Sequence, residues 1–163
     1  MKEKKPGRPL VLVVEDFQDA REMYALYLGY EGFGVIQAKD GFEALKLTAE
    51  QLPDLILMDL ALPGMDGWEA TRRIKSDPRT RHIPVVALTG HVLAGHAEGA
   101  RQAGCDSFVI KPCLPDALVA EVRRLLGSTQ SAPRPGPPPA PAVDGSPSPK
   151  DQTRSIRRKN RKP

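Results

Sequence analysis

Five short apolar runs constrain this chain more than any other feature, because each is followed by a stretch with helical spacing. The runs cover residues 10–14, a short segment around Val35-Ile36, and residues 54–58, 83–88 and 108–110. The first, third and fourth are apolar without alternation. That pattern predicts strands buried on both faces, as in a parallel sheet covered by helices. Between them, apolar residues recur at three- and four-residue spacing over 17–30, 41–52, 66–74, 92–103 and 116–126. Gly29 and Gly32, Pro53, Ser76-Asp77-Pro78 and Gly127 supply stops. Pro84 is tolerable only at the start of its run. Five strand–helix units in about 120 residues predict an α/β fold with a doubly wound, five-stranded parallel sheet. Right-handed crossovers favour the flavodoxin-like order 2-1-3-4-5.

Charge divides the chain. Residues 9–127 hold 12 Lys/Arg against 17 Asp/Glu, a net −5. Residues 1–8 hold four against one, and residues 128–163 eight against two. The overall +4 therefore belongs to the ends. We expect a basic extension (1–8), one folded domain (9–127), and a disordered Pro-rich linker with a basic tail (128–163). The tail reads either as a solubilising end or as a docking segment for an anionic partner. It has no aromatic residue for base stacking, so specific DNA binding is not expected. No apolar run reaches the roughly 18 residues of a membrane span, and none suits a signal peptide. Cytoplasmic localisation follows as the expectation. Cys105 and Cys113 have neither metal-ligand nor redox spacing.

Ligands of open parallel sheets bind at the carboxyl ends of the strands. Glu15 and Asp16 follow the first run, Asp59 the third, Thr89 the fourth and Lys111 the fifth. Taken singly, each has a plain reading. Asp59 could start a turn, the acidic pair could open a helix, Thr89 could cap one, and Lys111 could lie on the surface. Taken together they converge at one edge. Three carboxylates in one place repel unless a cation holds them. Oxygen ligands of this kind suit Mg²⁺ or Mn²⁺. A hydroxyl and an ammonium beside them complete a site for a phosphoryl group, where a carboxylate can act as nucleophile.

With these residues in order, and with Met-Asp-Leu-Ala-Leu-Pro-Gly-Met-Asp-Gly at 58–67, Thr89-Gly90 and Lys111-Pro112, residues 9–127 resemble the receiver domain of two-component response regulators. The resemblance implies a single-domain response regulator of the chemotaxis or cell-cycle type. Asp59 would be the phosphoacceptor, supplied by a histidine kinase or histidine phosphotransfer protein. Asp16 would bind Mg²⁺ directly, with Glu15 acting through water and the Ala61 carbonyl completing the site. Thr89 and Lys111 would bind phosphoryl oxygens. Phe108 occupies the position of a switch aromatic, with core packing as its other reading. The Lys111-Pro112 bond would be cis. Such a chain is not an enzyme beyond catalysing its own phosphorylation and dephosphorylation, and it signals through an unknown protein target. Glu15-Asp16 departs from the commoner Asp-Asp, and Gly90 from the usual Ala. Ala61 and His91 stand where the family tunes phosphoryl lifetime.

Two other classes compete. One is a phosphorylation-independent binding module on the same fold. The other is an aspartyl phosphatase, which the Glu15-Asp16-Phe17 sequence disfavours because Asp-x-Asp is the usual pattern there. His82, His91 and His96 share no metal spacing and read as surface residues. Trp68 reads as packing, or as a reporter of the site. Gly95 and Gly99 each cost roughly 1 kcal/mol against Ala within a helix, which predicts a marginal fourth helix.

Overall fold

The structure, a computed structural model, describes residues 7–90 and 94–128. Five strands and five helices alternate: β1 (Leu10–Val14), α1 (Gln18–Tyr30), β2 (Gly34–Ala38), α2 (Gly41–Gln51), β3 (Leu55–Asp59), α3 (Gly67–Ser76), β4 (Val85–Thr89), α4 (Ala94–Ala103), β5 (Ser107–Ile110) and α5 (Pro115–Ser128). The strands form one sheet, ordered β2-β1-β3-β4-β5, and every pair is parallel. The doubly wound architecture expected from the sequence is the one observed.

Successive side chains of a strand point to opposite faces, and this divides the core into two layers. Val11, Val13, Leu55, Leu57, Val86 and Leu88 pack with α1 and α5 through Tyr24, Leu28, Leu118, Val119 and Val122. Leu12, Val14, Ile56, Met58 and Val85 face the other way, against Ala44 of α2 and Ala70 and Ile74 of α3. Both faces are covered, so the three central strands have no polar side to show.

Short side chains close the helix ends. Asp40 accepts the Glu43 amide at 2.8 Å, while Glu43 accepts the Lys39 amide at 2.9 Å. Asp66 accepts the Glu69 amide at 2.8 Å. These are capping contacts that satisfy otherwise orphaned donors. Pro115 opens α5, where a missing N–H costs nothing.

Several expectations change. β4 begins at Val85, not at residue 83, because Pro84 has no N–H to give. Instead the Pro84 carbonyl accepts the Ile56 amide at 2.9 Å, and Asp106 Oδ2 accepts the Val85 amide at 2.9 Å. β5 lies at the sheet edge, with Phe108 and Ile110 more exposed than Ser107 and Val109. At and within α1, the N-cap residue Phe17 and the helical Met23 and Leu26 are exposed (Leu26 at 78%). A helix lying on a sheet buries only one stripe, here Ala20, Tyr24, Tyr27 and Leu28. Phe42 is likewise exposed on α2. The start expected for α4 at residues 92–93, His91, the side chain of His96, the first six residues and residues 129–163 lie outside the described residues. No helix among the described residues is long and apolar enough to cross a membrane.

Candidate functional site

β1 and β3 are adjacent, with Val14 opposite Met58. Glu15 therefore leaves β1 beside Asp59, the last residue of β3. The Glu15 amide is held by the Ala38 carbonyl at 3.1 Å, and its own carbonyl accepts Arg21 Nη1 at 2.9 Å. Glu15 is 2% exposed and Asp59 5%, whereas Asp16 lies on the surface. Glu15, Asp16 and Asp59 each offer a carboxylate oxygen, and these oxygens lie within 4.8 Å of one another.

Lys111 reaches the same place from the edge strand. Thr89 is opposite Ile110, and its carbonyl accepts the Lys111 amide at 2.7 Å. The Lys111-Pro112 bond is cis. Lys111 Nζ donates to Glu15 Oε2 and, at 3.2 Å, to Asp59 Oδ2. The second oxygens are also engaged: Asp59 Oδ1 accepts the Ala61 amide at 3.0 Å, and Glu15 Oε1 accepts the Phe17 amide at 3.3 Å. Burial pushes the Glu15 carboxyl above its usual range, against the pull of Lys111. Burial alone would lower the Lys111 ammonium, but its contacts with Glu15 and Asp59 outweigh that and raise it.

The sequence placed Glu15, Asp16, Asp59, Thr89 and Lys111 at one sheet edge; the structure gathers Glu15, Asp16, Asp59 and Lys111 there, with Thr89 ending the neighbouring strand and the Ala61 amide on Asp59. Phe108 is the exception. It lies opposite Ala87 on the edge strand β5 and is 36% exposed, so its ring is partly covered and partly open to solvent. Sequence reasoning missed two supports. Arg21, one turn into α1, holds the Glu15 carbonyl. Gly67 lets α3 start directly against β3, where a Cβ would stand 2.8 Å from the Leu60 Cα. Its position in Met65-Asp66-Gly67 is the available sequence signal.

The donor set suits a divalent cation. Three carboxylates face one ammonium, so the cluster carries an excess of negative charge. The ligand atoms are hard oxygens, which favour Mg²⁺ or Mn²⁺ over softer metals.

Fold and site together define an α/β module with an acidic, lysine-paired site at the carboxyl edge of a doubly wound sheet. A family model described as the response regulator receiver domain matches residues 11–123, and the chain belongs to that family. It is 37% identical over 117 residues to the polar-differentiation response regulator DivK of Brucella anthropi, covering 72% of this chain and 95% of the relative. Among solved structures, the receiver domain of sensor histidine kinase PA1611 from Pseudomonas aeruginosa PAO1 is 34% identical. It has a TM-score of 0.70 and covers 75% of this chain and 100% of that one. That structure has a magnesium ion coordinated in its active site cleft. Chemotaxis response regulator CheY4 of Vibrio cholerae is 26% identical, with a TM-score of 0.70, covering 72% of this chain and 98% of that one.

Proposed function

We propose that this chain is a single-domain response regulator of the cytoplasm, which accepts a phosphoryl group on Asp59 from a histidine kinase or histidine phosphotransfer protein. The observation that carries the reading is the buried Glu15–Lys111–Asp59 arrangement with Asp16 beside it. Glu15, Asp16 and Asp59, with the Ala61 carbonyl, would hold Mg²⁺, and the ion would supply charge neutralisation for the phosphoryl group. An Asp59 carboxylate oxygen attacks phosphorus, the bond to the donor imidazole nitrogen breaks, and the leaving nitrogen keeps the electron pair. Lys111 already bridges the two buried carboxylates. Moving from Asp59 Oδ2 to a phosphoryl oxygen frees the nucleophile and keeps the ammonium paired. Thr89 supplies a hydroxyl at the same edge. Phe108, exposed on β5, is available to change partners once Thr89 is engaged.

The acyl phosphate then biases a two-state domain. Turning a mostly inactive population into a mostly active one takes about 5.5 kcal/mol of differential stabilisation. Output runs through protein contacts with a downstream target. The basic ends flank the acidic domain as docking or solubilising segments.

The test is intact-mass analysis after incubation with Mg²⁺ and acetyl phosphate, beside Asp59→Asn and a metal-free control. One labile phosphoryl group, dependent on Mg²⁺ and absent in Asp59→Asn, is expected. Failure of acetyl phosphate, a panel of histidine kinases and beryllofluoride alike to engage Asp59 would overturn the reading. A phosphorylation-independent binding module would then take its place.

A further inference from the structure

Trp68 is the single tryptophan of the chain. Its ring lies against the backbone of α4 at Gly99. A Cβ on Gly99 would stand 2.6 Å from Trp68 Cη2, 3.1 Å from Cε3 and closer still to Cζ3. Close-packed interiors do not absorb such an overlap without movement. Gly99 is therefore more than a weak point in a helix: bare backbone is what the ring requires.

The other side of Trp68 is tied to Asp59. Gly67, its chain neighbour and the first residue of α3, donates its amide to the Leu60 carbonyl at 3.2 Å. A Cβ on Gly67 would stand 2.9 Å from the Asp59 carbonyl carbon. The loop between them is pressed from α2 as well, where a Cβ on Gly41 would stand 2.9 Å from the Met65 carbonyl oxygen. Glycine-dependent approaches at Gly41 and Gly67 thus clamp the segment that follows Asp59, and the one at Gly99 joins its end to α4. Successive helix residues are about 100° apart. Rolling α4 by one residue would put a neighbouring residue in place of Gly99 beneath the ring.

We propose that Trp68, seated on Gly99, is a steric coupler that ties the setting of α4 to the loop after Asp59. The state of Asp59 then reaches α4 through the first turn of α3. The inference rests on Asp59 being the phosphoacceptor.

The experiment uses the full chain with Mg²⁺, with and without beryllofluoride. Trp68 emission and amide exchange over residues 94–103 are the readouts, and acetyl phosphate labelling is followed by mass. Engagement of Asp59 should shift the emission and change α4 exchange several-fold. Gly99→Ala should raise α4 exchange in the free protein and uncouple it from Asp59, while labelling persists. In a Trp68→Leu background the same Gly99→Ala change should lower exchange, because Ala is the better helix former once the ring is gone. Should Gly99→Ala fail to fold, Trp68→Leu alone decides: it must label normally and lose the α4 response. Labelling of the wild-type chain with unmoved emission and α4 exchange would overturn the coupler and leave the phosphoacceptor standing. So would a normal α4 response in Trp68→Leu. Absence of any engagement of Asp59 would overturn both.

Discussion

Lys111 is the residue on which the site balances. Its ammonium is the countercharge for two buried carboxylates, Glu15 and Asp59. Removing one partner of such a group leaves the others unsatisfied, which costs about 1–3 kcal/mol. Lys111→Met should therefore lower stability by about that amount in metal-free buffer, and Mg²⁺ should restore part of it. The pH dependence has a definite sign. Lys111 is what holds Glu15 down against burial, so its loss raises the Glu15 carboxyl further above its unfolded value. Stability is then greater at low pH, where Glu15 is protonated in both states, and falls as pH rises through the raised value. Urea midpoints at pH 5 and 7 would check this: the variant's deficit should be larger at pH 7, and a deficit independent of pH and Mg²⁺ would contradict it.

At the scale of elements, the β3–α3 connection carries the constraint. Gly67 abuts the backbone of Asp59 and Leu60, and backbone cannot step aside as a flexible side chain can. Gly67→Ala should cost about 1–3 kcal/mol or more by overpacking and should slow labelling of Asp59. Gly90→Ala offers the contrast, since a Cβ there meets none of the described residues within 4 Å and should leave stability nearly unchanged. Thermal melts of the two variants side by side measure the difference. The far end of α3 is anchored differently. Lys75 Nζ reaches the Ile83 carbonyl and Asp106 Oδ2, each at 2.7 Å, and so ties α3 to the starts of β4 and β5. One helix is thus held at both ends, by close glycine packing near the site and by a half-buried ion pair away from it.

For the whole molecule, three raised groups predict that alkaline pH weakens the fold. Burial pushes the Cys105 thiol from 9.0 up to about 11. Burial, then Cys113, drives the Tyr24 hydroxyl upward, and Lys111 is raised by its carboxylates. All three groups hold their protons more tightly when folded. The stability they contribute is present below their unfolded values and is lost as pH rises, beginning near pH 9 with Cys105. Denaturant midpoints should decline from pH 9 to 11, and Cys105→Ala should flatten the first part of that decline. An unchanged slope in Cys105→Ala would assign the loss to other groups.

The sequence by itself determined the alternation of five strands and five helices, the strand order and the edge at which Glu15, Asp16, Asp59, Thr89 and Lys111 meet. It could do so because buried parallel strands are written as continuous apolar runs and because chain reversals place the next residue at a strand's carboxyl end. Only the tertiary structure decided which apolar residues are covered. Phe17, Leu26, Phe42 and Phe108 have the composition of core residues but stand partly or largely exposed. Tertiary structure also decided what the glycines are for. Gly99 reads as a weakness along its own helix, because propensity is a local property. Its meaning lies in a ring that arrives from α3, a contact that depends on where two helices come to rest.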